Sequence, residues 1–127
     1  MSRPTNFRIA GAIFLLLGGS VHLHQWHQVY RDTAVGPSFV VNAVVSLVIG
    51  IALLARDDRM TPLAGIAVSL GSLAALALSR TVGLFGFEET GLAVASSEAI
   101  AVELAAAITL AVAFRWPSSP SSARATN

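Results

Sequence analysis

Five polar residues within otherwise apolar stretches are candidates for binding a polar ligand or carrying a proton. They are His22, Asn42, Arg80, Glu98 and Glu103. If these apolar stretches span a membrane, each charged side chain in lipid costs at least about 2.5–3.5 kcal/mol. Acids inside a membrane therefore usually form an ion pair or have a function in binding or proton transfer. Arg80 and Glu98 form the natural pair, which either serves a ligand or simply locks two helices together. Because Glu103 lies about 140° around a helix from Glu98, one of the two acids must face elsewhere.

Histidines and nearby acids raise the alternative of a metal site. His24 and His27 are three residues apart and share one side of a helix, whereas His22 lies about 160° from their mid-line. With Glu88 or Glu89 they supply enough ligands for zinc, which takes four in structural sites and three plus water in catalytic ones. The alternative is that His24 and His27 lie at the membrane interface beside Trp26 and bind no metal. Haem held by histidines from two helices of one subunit is excluded, because all three histidines belong to one predicted helix.

Composition narrows the classes of protein. Of 127 residues, 54% are hydrophobic and only 12% are charged, against about 25% charged in soluble domains. All eight basic residues are arginines, and they face seven acids. These values exclude a disordered chain and a nucleic-acid binder with a basic face, and they argue against a soluble enzyme. The absence of cysteine excludes disulfides and thiolate metal sites.

The elements that position the candidate residues are four apolar windows, each near the roughly 20 residues that a membrane helix needs. They lie at about 7–27, 39–55, 62–82 and 92–114. Short connections predict an all-α, four-transmembrane-helix antiparallel bundle in a single domain, 1–116. The segment 117–127 is expected to be a disordered cytoplasmic tail. A cleaved signal peptide is the alternative for the first window.

The distribution of arginines predicts the orientation. The N-terminus, second loop and tail carry six arginines, and the first and third loops carry two, Arg31 and Arg80. The positive-inside rule then places both termini in the cytoplasm and the five pocket candidates toward the outer leaflet. Trp26, Tyr30 and Trp116 are expected in the interfacial aromatic belts.

Small residues predict which helix faces pack together. The expected inward faces hold Gly11, Gly18, His22 and Gln25; Asn42, Ser46 and Gly50; Gly65, Ser69, Ser72, Ser79 and Gly83; and Glu98, Val102, Ala105, Thr109 and Ala113. The loop 79–91 alternates glycine with leucine or phenylalanine, which indicates an interfacial hairpin that caps the bundle or a lid over it.

Several segments, above all the run SRTVGLFGF from Ser79 to Phe87, resemble a group of uncharacterised small four-helix membrane proteins of actinobacteria. The resemblance covers almost the whole chain outside the tails and implies a fold and a lineage, but no activity. The chain is also loosely similar to DoxX-type proteins, in size and topology only. Small multidrug exporters carry their membrane-embedded glutamate on the first helix, where this chain has none.

These observations predict a small multi-pass protein of the bacterial plasma membrane that acts as a non-enzymatic structural or accessory subunit. The alternative is a binding or transport protein whose outer-leaflet pocket holds a lipid headgroup, a quinone or a metal ion. The lipid bilayer is the expected partner, nucleic acid is not, and a homodimer or larger membrane complex stays open. No particular cofactor is indicated.

Overall fold

The computed structural model describes residues 3–88 and 94–116, which are helical apart from short connections. The helices are α1 (Arg3–Gln25), α2 (Gly36–Ala55), α3 (Met60–Thr81) and α4 (Val94–Arg115). A π-helical turn, Trp26–Tyr30, continues α1. Each of the four helices contains a stretch long and apolar enough to cross a membrane. The predicted all-helical class and four candidate spans are thereby confirmed, while the predicted tail 117–127 lies outside the described residues.

Helix α2 begins three residues earlier than predicted. Gly36 and Pro37 belong to its first turn instead of breaking the chain before it. Proline is tolerated at this position because the first turn leaves its N–H groups without helical partners in any case. The connection before α2 is also compact, since the Gly36 N–H donates to the Thr33 carbonyl at 3.0 Å.

The connection between α2 and α3 is fixed by two acidic residues. Asp58 accepts hydrogen bonds from the backbone N–H and the hydroxyl of Thr61 and so satisfies the first turn of α3. Asp57 forms an ion pair with Arg8 of α1. Arg8 also donates to the Leu53 carbonyl at 3.0 Å, near the end of α2. One end of the bundle is therefore tied together by polar contacts outside its apolar core.

We call that end the packed half, and it is built on a cluster of buried apolar residues. These are Ala12, Leu15, Leu53, Ala106 and Leu110. Leu110 is fully buried between Gly11 and Gly65, and a Cβ added to Gly11 would lie only 2.7 Å from the Leu110 Cγ. The glycines thus leave the space that the leucine side chain fills. This agrees with the expectation that small residues mark the packed faces of α1, α2 and α3.

The buried face of α4 differs from the predicted one. The buried residues are Ala99, Glu103, Ala106, Ala107, Leu110 and Ala113, whereas the exposed Glu98 lies outside this stripe. A shift of one residue rotates a helix face by about 100°, and small residues occur all around α4, so residue size alone could not select its phase.

A tight turn follows α3. Leu84 and Phe87 form a pair of backbone hydrogen bonds, and Phe85 and Gly86 between them both have positive φ. Two such residues form the type of turn that favours a hairpin. The predicted hairpin is present in this short form. Phe85 is exposed, whereas Phe87 packs edge-on against Tyr30, with ring centroids 5.8 Å apart.

Candidate functional site

A cavity of about 320 Å³ opens at the other end of the bundle. We call this end the cavity half and define it by His22, Asn42, Ser79 and Glu103, which all line the cavity. All four helices contribute to its wall, as do Tyr30 of the π-helical turn and the residues Leu84 and Phe87. Most of the wall is apolar, so the few polar groups stand out as the places where a ligand would be recognised.

A buried polar contact of the site joins α1 to α4. The His22 Nε2 and the Glu103 Oε1 are 3.1 Å apart, and their side chains are 12% and 3% exposed. Gly18 lies one turn before His22, and an added Cβ there would lie 3.6 Å from the same Glu103 oxygen. The α1 backbone at Gly18 is therefore part of the surface on which the carboxyl group of Glu103 packs.

The His22–Glu103 contact can hold its proton in two ways. An Nε2–H can donate to the carboxylate, or a carboxylic acid O–H can donate to Nε2. In either case the Nδ1 of His22 is buried and has no hydrogen-bond partner in the described part of the chain. The pair thus has hydrogen-bonding capacity beyond the one bond that it makes.

A second polar contact joins α2 to α3 across the cavity wall. The Asn42 amide donates to the hydroxyl of Ser72, and the Ser46 hydroxyl donates to the Asn42 carbonyl oxygen at 3.1 Å. Because both ends of the amide are engaged, its orientation is determined by its neighbours. Asn42 was a predicted pocket residue, and the structure places it on the cavity wall.

Aromatic rings form a third part of the wall. Tyr30 stacks on Phe39 with ring centroids 4.4 Å apart, and the His22 ring meets Phe39 edge-on at 5.4 Å. Phe87 adds the fourth ring through its contact with Tyr30. The π-helical turn changes the helix phase just before Tyr30, and such insertions are frequent at functional sites. Tyr30 is 5% exposed, so its ring packs against the protein as well as lining the cavity.

Tyr30, Phe39 and Phe87 are the functional candidates that the residue pattern did not single out. Each reads as an ordinary apolar or interfacial residue when only helical spacing is considered. A switch from α- to π-helical geometry has no reliable sequence signal.

The predicted Arg80–Glu98 pair does not form. Glu98 is exposed, and no hydrogen bond or ion pair joins it to Arg80 in the described part of the chain. Arg80 is half-buried and follows Ser79, which lines the cavity, but Arg80 itself does not line it. Glu103 takes the inward position that was expected of Glu98, because the buried stripe of α4 runs through Ala99 and Glu103.

The three predicted metal ligands that the structure describes, His24, His27 and Glu88, do not form a metal-binding group. His24, His27 and Glu88 are all exposed, and Glu89 lies outside the described residues. Within residues 3–88 and 94–116, no three histidine or acidic side chains are grouped closely enough to hold a metal ion. The arrangement suits an organic ligand better, since apolar walls surround a few hydrogen-bonding groups.

Comparison of the chain with protein-family models, with curated proteins and with solved structures gives no match. The function of the cavity therefore has to be argued from its own geometry and chemistry.

Proposed function

We propose that this chain is a multi-pass protein of a bacterial plasma membrane that binds a small amphipathic molecule in the cavity. The molecule has an apolar body and a hydrogen-bonding end group. This is the binding or transport alternative among the functions expected from the sequence. No chemical conversion of the ligand is proposed.

The topology of the proposal rests on charge and on contacts between helices. Six arginines on one side against two on the other favour cytoplasmic termini. Contacts along α1 support antiparallel neighbours. Gly11 lies against Leu110 and Gly18 lies against Val102. The residue numbers of the contacts decrease along α4 as they increase along α1, as expected for antiparallel helices. In this orientation the cavity half belongs to the outer leaflet.

One observation carries the binding proposal. A buried polar pair, His22 and Glu103, adjoins a cavity of about 320 Å³ instead of being enclosed by packed side chains. A pair that only locked α1 to α4 would be most stable with no cavity beside it, because packed interiors leave few voids. The small-residue contacts of the packed half already hold the helices together. The cavity is therefore unexplained by a purely structural or accessory role.

The cavity is open toward the side of the bundle between α2 and α3. Val41 lines it and is 61% exposed. Gly71 also lines it, is exposed, and has no atom within 4 Å of the place where a Cβ would lie. In a spanning bundle this side faces lipid, so the proposed ligand enters from the outer leaflet. An apolar body would remain in contact with Val41, Val45 and Val68 along this opening.

Photolabelling in lipid nanodiscs tests the proposal. The probes are 12-carbon alkyl chains that carry a diazirine and end in either a hydroxyl or a primary amine. We expect at least one probe to label cavity-lining peptides saturably, with competition by the same chain lacking the diazirine. Gly71→Leu should abolish the saturable part by filling the opening, whereas the control Ala74→Leu should retain it. Ala74 is exposed on the same helix and does not line the cavity.

Unsaturable labelling by both probes would overturn the proposal, because it would mean contact with bulk lipid chains only. Equal saturable labelling in the wild type and in Gly71→Leu would also contradict it, since the label would then lie outside the cavity. The melting temperatures of both variants must stay close to that of the wild type for the comparison to hold. A Cβ added at Gly71 meets no atom within 4 Å, and Ala74 is exposed, so both variants should fold.

A further inference from the structure

The chemical class of the ligand follows from the charges of the cavity, if the proposed binding function holds. We propose that the cavity selects an amphipathic amine, whose protonated nitrogen is held by the carboxylate of Glu103 and by the surrounding aromatic rings.

The charge inventory of the cavity wall is one-sided. Among the described residues, Glu103 is the one acidic side chain that lines it, and neither lysine nor arginine does. His22 supplies the one imidazole, and the other polar groups are hydroxyls and amides. A wall of this composition has no fixed positive group for an anionic headgroup. It does have a group that can become negative, which suits a basic ligand.

The geometry of Glu103 leaves room for a second partner. Its Oε1 contacts the His22 Nε2 at 3.1 Å, and no hydrogen bond in the described part of the chain involves Oε2. The side chain is only 3% exposed, and an uncompensated carboxylate at that burial is costly. An ammonium group has three N–H donors and no acceptor, so it complements the unused oxygen. Hydrogen bonds between ionised partners are roughly twice as strong as neutral ones.

Aromatic rings that line the same cavity favour the same class of ligand. Four rings line the cavity and form a continuous series of contacts. His22 contacts Phe39, Phe39 stacks on Tyr30, and Tyr30 contacts Phe87. The faces of phenylalanine and tyrosine rings attract ammonium groups, and the attraction grows when water is excluded. Acid and rings thus act together on a cation, whereas a neutral hydroxyl would gain little from the rings.

The charges of the carboxylate and the ligand compensate each other. A carboxylate of Glu103 and an ammonium group together carry no net charge, so the bound pair leaves no uncompensated charge in the apolar interior. The apolar body of the amine stays at the opening between α2 and α3, where Val41 and Gly71 are exposed.

The two photolabelling probes described above test the inference in nanodiscs made of zwitterionic lipid. Their chains are identical, so they differ in the amine or hydroxyl end. We expect half-maximal saturable labelling by the amine at a concentration about tenfold or more below that of the alcohol. The bilayer content of each probe is measured separately, so that partitioning is removed from the comparison. Glu103→Gln should bring the amine to the level of the alcohol, because the amide keeps the shape of the side chain and loses its charge.

Glu98→Gln is the matched control, since it removes an exposed acid from the same helix and should leave the amine preference unchanged. Equal half-maximal concentrations for the two probes in the wild type would overturn the amine assignment and leave the binding function standing. An amine preference that survives in Glu103→Gln would also overturn it. Failure of both probes to label saturably would remove the binding function itself. The wild-type comparison decides the assignment even if Glu103→Gln does not fold.

Discussion

The packed half and the cavity half use the same four helices in opposite ways. In the packed half, Gly11 and Gly65 carry no side chain, so Leu110 fills the space between the helices completely. In the cavity half, the helices enclose about 320 Å³, and the lining includes aromatic, polar and small residues. Small residues therefore allow close helix packing at one end of the bundle, whereas the helices enclose a cavity at the other end.

The polar contacts of the two halves also differ in kind. Arg8 and Asp57 in the packed half form an ion pair in which Asp57 remains 67% exposed, so water and lipid headgroups can still solvate it. His22 and Glu103 in the cavity half are almost completely buried. The first contact can be replaced by solvation when it breaks, whereas the second cannot. The buried pair of the cavity half is therefore the contact that is more sensitive to the loss of one partner.

The largest expected effect is that of shortening Leu110. Leu110→Ala should lower the free energy of unfolding by about 2–5 kcal/mol, because the neighbouring glycines have no side chains with which to fill the hole. Leu73→Ala is the matched change in the cavity half, where the leucine is half-buried and lines a space that already exists. It should cost about 1 kcal/mol or less. Unfolding in detergent micelles, followed by circular dichroism, measures both.

A compensating variant sharpens the same comparison. Gly11→Ala alone should be destabilising, because its Cβ would lie 2.7 Å from the Leu110 Cγ. In the Leu110→Ala background the new methyl group has room and should recover part of the lost stability. Equal losses for Leu110→Ala and Leu73→Ala would mean that the two halves are packed alike, and the division drawn between them would fail.

The second largest effect is expected at the buried acid. Glu103→Ala should lower the free energy of unfolding by about 1–3 kcal/mol, because it leaves the His22 Nε2 buried without its partner. Glu98→Ala should change it by no more than about 0.5 kcal/mol, because that side chain is exposed. Thermal unfolding of both variants in the same detergent gives the comparison.

A double-mutant cycle with His22→Phe measures the energy of the His22–Glu103 contact separately from the energy that each residue contributes by its own burial. The loss at Glu103 should shrink when His22 is already absent. A larger loss for Glu98→Ala than for Glu103→Ala would restore the inward face of α4 that the sequence predicts. It would also remove the carboxylate on which the amine assignment depends.

The sequence was informative where a property is summed over many residues. The four spans follow from the length and apolar content of whole windows, and a single residue such as Pro37 shifts only a boundary. The choice between Glu98 and Glu103 depends instead on the rotation of one helix. Alanines occur on every side of α4, so no contrast between large and small residues marks its buried face. The packing of α1 and α3 against α4 selects Glu103.

The cavity wall was predicted only in part. His22, Asn42 and Glu103 were selected as polar groups in apolar surroundings, and each lines the cavity. The aromatic wall was missed because Tyr30 reaches it through a π-helical turn, which alters the residue spacing on which helix-face arguments depend. Long-range packing determines that turn, and local composition does not reveal it.

The smallest expected effect concerns the exposed connection that begins α3 in the packed half. Hydrogen bonds from the backbone N–H and the hydroxyl of Thr61 hold the pKa of Asp58 below its ordinary value of 3.8. A carboxyl group with a lowered pKa in the folded state stabilises the fold above the unfolded pKa, and this contribution disappears as the pH falls through the folded pKa. The wild type should therefore be more stable than Asp58→Asn at pH 6, and the difference should shrink below about pH 4. Asp32→Asn removes an exposed carboxylate that caps no described helix and serves as the control for general charge effects. Chemical unfolding of the three proteins between pH 3 and pH 6 gives the measurement. A difference between the wild type and Asp58→Asn that stays constant over this range would show that the Asp58–Thr61 contact does not depend on the charge. The stability that the Asp58–Thr61 hydrogen bonds contribute would then be independent of the charge of Asp58.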